Sequence, residues 1–114
     1  MDAIVFFKAN SLNHVQNIVD NHKNAYMPDS FHYWSEKHDD YYLCSKSYSV
    51  DVFELKRVLD SHECISESYG NSLESAHDHL YRMQKMLKQN PVFPNLHNKI
   101  EKLKQVIADV EACQ

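Results

Sequence analysis

The chain has 114 residues, 43% hydrophobic and 11% aromatic, with one Gly, three Pro and three Cys. That length leaves room for one domain or a small domain with an appendage, and the apolar content is too high for a disordered chain. So few Gly and Pro disfavour phosphate-cradling glycine loops and an all-β fold with many tight turns, so a helical or mixed class is expected.

The formal net charge of −4 is uneven. Residues 1–70 carry six Lys/Arg against eleven acids, and residues 71–114 six against five. A duplex-binding face needs a basic stripe, and the first part has the opposite sign, so nucleic acid is disfavoured. An acidic face instead suits a basic partner, although the same charge also serves plain solubility.

In chain order, Ala3 to Lys8 is a run of β-branched and aromatic residues, apolar on both faces, and reads as a covered strand. Ser11 is a candidate N-cap for a helix with the stripe Val15, Ile18, Val19, His22, Tyr26, ended by Met27-Pro28-Asp29. Phe31–Lys37 and Tyr41–Ser47 are short aromatic segments around His38-Asp39-Asp40, the pattern of a β-hairpin with a three- or four-residue loop. Ser49 or Asp51 then caps a helix, Asp51 and Glu54 having capping-box spacing, with Val52, Leu55, Val58 and Leu59 as its buried stripe.

Residues 61–72 hold the only glycine and read as a linker, with Ser72 capping the next helix. Leu73, Ala76, Leu80, Met83 and Leu87 form one apolar stripe. Past the breaker Asn90-Pro91-Val92-Phe93-Pro94-Asn95, Leu96, Ile100, Leu103, Ile107 and Val110 form another. The predicted fold is α+β: a β-α-β-β-α unit over residues 1–66, an incomplete ferredoxin-like three-stranded antiparallel or mixed sheet. A C-terminal antiparallel helical hairpin over 71–114 is expected to pack on it as one compact domain. Met83, Met86 and Leu87 offer a groove for a partner helix, and pairing of two hairpins would make a homodimer.

No run approaches the roughly 20 apolar residues of a membrane helix. The start Met1-Asp2-Ala3 is acidic where a signal peptide is basic, and an odd cysteine count fits reduced thiols; a cytoplasmic protein without a membrane role is expected.

Chemistry-bearing motifs are sparse. The three residues weighed for a metal or thiol site are His62, Cys64 and His77, without the paired spacing of structural zinc, so no cofactor is expected. His77 and His79 would sit roughly 200° apart on a helix, and His14 and His22 about 12 Å apart along one. Cys64 with His62 is the only local nucleophile–base pair and lacks a glycine-bearing elbow, so no catalytic residues are assigned. His22, inside an apolar stripe, reads as a hydrogen-bonded core residue.

The hairpin aromatics are the richer group. Core packing, a protein interface anchored by Trp and Tyr, and a single-strand binder stacking bases on Trp34 and Tyr42 are the three readings, in that order. In size, acidity, tyrosine content and α+β build the chain is similar to small accessory proteins of phages and mobile elements, including anti-CRISPR-like inhibitors of host defence. That likeness implies steric inhibition in a host cytoplasm. The expected function is non-enzymatic protein binding, with Trp34, Glu36, Asp39, Asp40, Tyr41 and Tyr42 as the contact residues. A small metal- or thiol-dependent regulator and a single-stranded nucleic-acid binder are the alternatives.

Overall fold

The computed structural model describes residues 1–26, 28–92 and 94–114. Met27 and Phe93, which belong to the two expected breakers, lie outside the described residues. The protein is mixed α+β, in the order α1 (Ala3–Ala9), α2 (Leu12–Asn24), β1 (Tyr33–Ser35), β2 (Asp40–Tyr42), β3 (Ser49–Asp51), α3 (Val52–Tyr69), α4 (Leu73–Gln89) and α5 (Pro94–Ala112). It divides into two compact units, residues 1–59 with 113–114 and residues 60–112.

In the first unit, Ala3 to Lys8 lies in a helix, not a strand. Asp2 is the N-cap, its carboxylate accepting from the amides of Ile4 (2.7 Å) and Val5 (3.4 Å), and Ala3, Phe6 and Phe7 recur at helical spacing. Ala3 and Phe6 are buried while Val5 is 59% exposed. The two-faced apolar run is thus one helical stripe plus an exposed valine. Without that strand the sheet has no parallel pair, so the predicted ferredoxin-like order is not present.

The sheet is three-stranded and antiparallel, in the order β2-β1-β3. Trp34, in the central strand, lies opposite Tyr41 on one side and Val50 on the other. The Ser35–Asp40 pair leaves a four-residue hairpin loop, with Asp39 at φ +51°, a left-handed conformation that Asp tolerates. The third strand comes from 49–51, where the sequence promised only a cap. Asp51 does both jobs: it ends β3, and its carboxylate accepts from the Phe53 amide (2.9 Å) at the start of α3. Ser11 caps α2 through the His14 amide (3.1 Å). Phe6, Val15, Ile18, Trp34, Val50 and Leu55 are central to the core of this unit.

In the second unit, α3 continues through residues predicted as linker, and only Gly70-Asn71-Ser72 separate it from α4. Ile65 is buried and Tyr69 packs beside it, so the apolar face persists among polar residues. Gly70 and Asn71 are both left-handed (φ +58° and +64°), and the Asn71 amide donates back to the Ile65 carbonyl (3.0 Å), closing the helix. Ser72 caps α4 through the Ser75 amide (3.1 Å). Pro94 takes the first helical position of α5, where its missing N–H costs nothing. Ala76 and Met83 of α4 share one core with Ile100, Leu103, Ile107 and Val110 of α5.

That core contains one acid. Asp109 is only 3% exposed. One carboxylate oxygen accepts from the Ser61 hydroxyl (2.8 Å) and the other from the Gln105 side-chain amide (2.9 Å). A buried carboxylate oxygen escapes the penalty of an unmet acceptor only while its donors are present. Ser61→Ala is expected to lower unfolding stability by about 1–3 kcal/mol, the penalty of removing a donor from a buried acceptor. Urea denaturation followed by circular dichroism checks this; a loss comparable to an exposed Ser→Ala change would contradict the assignment.

Candidate functional site

The β1–β2 hairpin carries all six expected contact residues, and the fold sorts them into two groups. Trp34, Glu36 and Tyr41 form the framework. Trp34 is 8% exposed and packs against Tyr41 (ring centroids 4.8 Å apart). Its indole N–H, drawn out of water, donates to Glu36 Oε1 (2.8 Å), two residues on. His14 Nε2, on α2, lies 2.5 Å from the same oxygen. The Tyr41 hydroxyl donates to the Ile18 carbonyl of α2 (2.5 Å). These three side chains fasten the hairpin to α2, so Trp34 and Tyr41 are not the outward anchors expected of them.

The second group faces solvent. Glu36 to Asp40 are all exposed along the loop, and Asp39 and Asp40 have no role in the core. Asp40 is fixed locally, one carboxylate oxygen accepting from the Tyr41 amide (2.8 Å). Tyr42 is half-buried at the foot of this tip. His38 stands edge-on to both Tyr42 (5.9 Å) and Tyr48 (5.2 Å), and the Lys37 ammonium lies 5.7 Å from the Tyr48 ring centre. The outward surface is therefore Asp39, Asp40 and Tyr42, joined by Lys37, His38 and Tyr48. Tyr48 is six residues downstream of Tyr42, and the return of the chain toward β3 brings it alongside.

A second run of rings starts beside this framework. Tyr33 packs on His32, His32 on Phe53, Phe53 on His22 and His22 on Tyr41, with centroid distances of 4.3, 4.9, 5.7 and 5.2 Å. His22 is 7% exposed and its Nε2 meets the Phe31 carbonyl (2.9 Å). His32 Nδ1 meets the Asp29 carbonyl (2.7 Å). Each imidazole satisfies a backbone carbonyl in the segment linking α2 to β1, which is structural work.

The residues weighed for a metal do not converge. His62 and Cys64 lie two apart on α3, roughly 200° around its axis. His77 on α4 pairs with Glu111 (2.5 Å), and His79 shares a hydrogen bond with Tyr69 (2.6 Å). Among the described residues no group of three or more metal-ligating side chains comes together. The same helical geometry keeps Cys64 from using His62 as a base.

Two titrations report the framework. For Glu36, burial alone would raise the pKa, but the Trp34 indole and the His14 ring together outweigh it and hold the carboxyl below its usual value. A depressed carboxyl stabilises the fold above its unfolded pKa, and that contribution disappears as pH falls through the lower folded value. Acid should therefore loosen the hairpin, and His14→Ala should reduce this pH dependence in denaturation curves collected between neutral and strongly acidic pH. For Tyr41, burial, helped by the Asp39 charge, pushes the phenol up to about 12. The un-ionised phenol stabilises the fold fully below the ordinary tyrosine value, and the contribution is lost as pH rises through about 12. In a phenolate absorbance titration the last of the seven tyrosines to ionise should vanish in Tyr41→Phe. Loss of an earlier phase instead would refute the assignment.

No protein-family model matches the chain, and no curated protein or solved structure is similar to it at a significant level.

Proposed function

We propose that this is a non-enzymatic protein that acts by binding another protein, through the acidic tip of the β1–β2 hairpin. The observation that carries the reading is the division of labour within the hairpin. Its buried side chains hold it on α2, while Asp39 in the loop and Asp40 at the start of β2 keep their side chains exposed at the tip. A tip anchored in this way gives up little conformational freedom on binding, which favours its use as a recognition element.

Two adjacent carboxylates suit a partner surface rich in Lys and Arg, and the Tyr42–His38–Tyr48 cluster beneath them supplies amphipathic contact area. Glu36 plays a positioning part, since its Oε1 is engaged by Trp34 and His14. Binding of this kind would inhibit sterically, the mode expected of a small phage-encoded inhibitor of host defence. The reading includes an antiparallel helical hairpin formed by α4 and α5. It is supported by the pairing of His77, early in α4, with Glu111, at the end of α5.

Affinity capture from the native host with the tagged full chain tests the proposal. A captured protein should be lost with Asp39→Lys/Asp40→Lys, with affinity falling about tenfold or more and the salt dependence of binding flattening. Glu36 is left intact so that the hairpin stays anchored. A captured partner whose affinity and salt dependence are unchanged by the double substitution would remove the tip from the mechanism.

A further inference from the structure

The second unit carries its charge in two blocks. Between residues 81 and 105, Arg82, Lys85, Lys88, Lys99, Lys102 and Lys104 stand against Glu101 alone, a balance of +5. Residues 60–80 hold five acids and no Lys or Arg. The near-neutral total over 71–114 conceals this separation. The basic block lies on the second half of α4 and the first half of α5, on either side of the turn that joins them.

A cleft of about 480 Å³ opens between the two helices there. Leu87 and Ile100 give it apolar walls, and Lys85, Lys88 and Lys104 line it with positive charge. Tyr81, 65% exposed, and His97 add rings. Its one acid, Glu101, lies 3.4 Å from the Lys104 ammonium, so its charge is offset inside the cleft. From Tyr81 to Lys88 the α4 wall spans about 10 Å, at 1.5 Å per residue.

The volume falls in the range of small-ligand pockets, and the lining has two chemistries: flat apolar and aromatic surface, and cations beside it. Unpaired nucleotides need both, a ring on which a base stacks and cations for the phosphates that flank it. A duplex keeps its bases inside its own stack and would leave Tyr81 and the apolar walls unused. An acidic peptide would use the lysines but has no need of the exposed ring.

We propose that this cleft binds single-stranded nucleic acid, with a base stacked on Tyr81 and backbone phosphates held by Lys85, Lys88 and Lys104. The proposal concerns a different unit from the hairpin tip and stands independently of the protein-binding reading.

Fluorescence anisotropy of labelled oligothymidylate and oligouridylate with the full chain tests it. Binding is expected at roughly 20 mM salt, with a log–log salt slope of about −2 for three neutralised phosphates. Lys85→Gln/Lys88→Gln/Lys104→Gln should weaken binding at least about tenfold and flatten that slope. Tyr81→Ala should weaken it about tenfold, while Tyr81→Phe, which keeps a stacking ring, should bind like the parent. Circular dichroism establishes that each variant is folded.

No binding up to about 100 µM protein at low salt, where even non-specific binders respond, would overturn the proposal. So would an undiminished affinity in the triple variant. If polyglutamate competes as well as the oligonucleotide and Tyr81→Ala has no effect, the cleft is a site for acidic protein and the proposal fails. A rise in mass at low salt that the triple variant abolishes, without oligonucleotide binding, would assign the cleft to a second copy of the chain and equally refute it.

Discussion

Burial of a single tryptophan organises the first unit. Trp34 occupies the central strand of a sheet only three residues deep and shares its core with Phe6, Val15, Ile18, Val50 and Leu55. An indole brings a large apolar surface and one N–H, and that N–H must find an acceptor once water is gone. On a strand the side chain two residues along shares the same face, which makes Glu36 the acceptor within reach. Taking it costs the hairpin its first acidic contact and gains a tether, because His14 of α2 closes on the same oxygen. The partial desolvation of Glu36 is offset by these partners, and the fall in its pKa expresses that balance.

Local patterning in the sequence reaches a good part of this fold. The Ser11 cap and the stripe of α2, the four-residue hairpin loop, and the apolar stripes now carried by α4 and α5 are short-range features. Hydrophobic period and turn chemistry encode features of that kind directly. The misreadings have equally local causes. At Ala3–Lys8, β-branched and aromatic composition outweighed the Asp2 cap, although the cap satisfies two amides that a strand would have left to a neighbour. Along 61–69 polar residues concealed a buried face narrowed to Ile65 and its flanks, with Ser61 held by a partner 48 positions away. No local pattern can announce such a partner. The same limit applies to the site: alternation shows that Trp34 and Tyr33 face opposite ways, but not which face the helices cover. Asp39 and Asp40 were legible because turn preference and exposure coincide there.

Charge shows a similar dependence on scale. Summed over 71–114 the balance is close to neutral, and it was the acidity of residues 1–70 that disfavoured nucleic acid. Electrostatic attraction works over about a Debye length, roughly 8–10 Å at physiological salt, so the relevant sum covers about two turns of adjacent helices. Within two turns of the α4–α5 connection, residues 83–89 and 94–100, there are three cations, Lys85, Lys88 and Lys99, and no acid. Histidine spacing makes the complementary point. Two residues apart is a ligand pair on a strand and an opposed pair on a helix, so once α3 extends through His62 and Cys64 the pair loses its chemistry without any change of sequence.

The order of charges along α5 bears on why the cations are there. A helix is stabilised by acids near its N-terminus and bases near its C-terminus, each by about 0.3–1 kcal/mol at the surface. α5 has no acid in its first turn and no base in its last. Lys99 and Lys102 occupy its first half, while Asp109 and Glu111 fall in its final turn. α4 follows the favourable order, with Glu74 in the first turn and Lys88 in the last. Helix stability accounts for the charges of α4 and runs against those of α5, yet Lys104 of α5 lines one cleft with Lys85 and Lys88 of α4. Lys99 and Lys102 lie outside that lining, within the same basic stretch of sequence. On the proposal made for the cleft, a negatively charged ligand there would make Lys85, Lys88 and Lys104 favourable together.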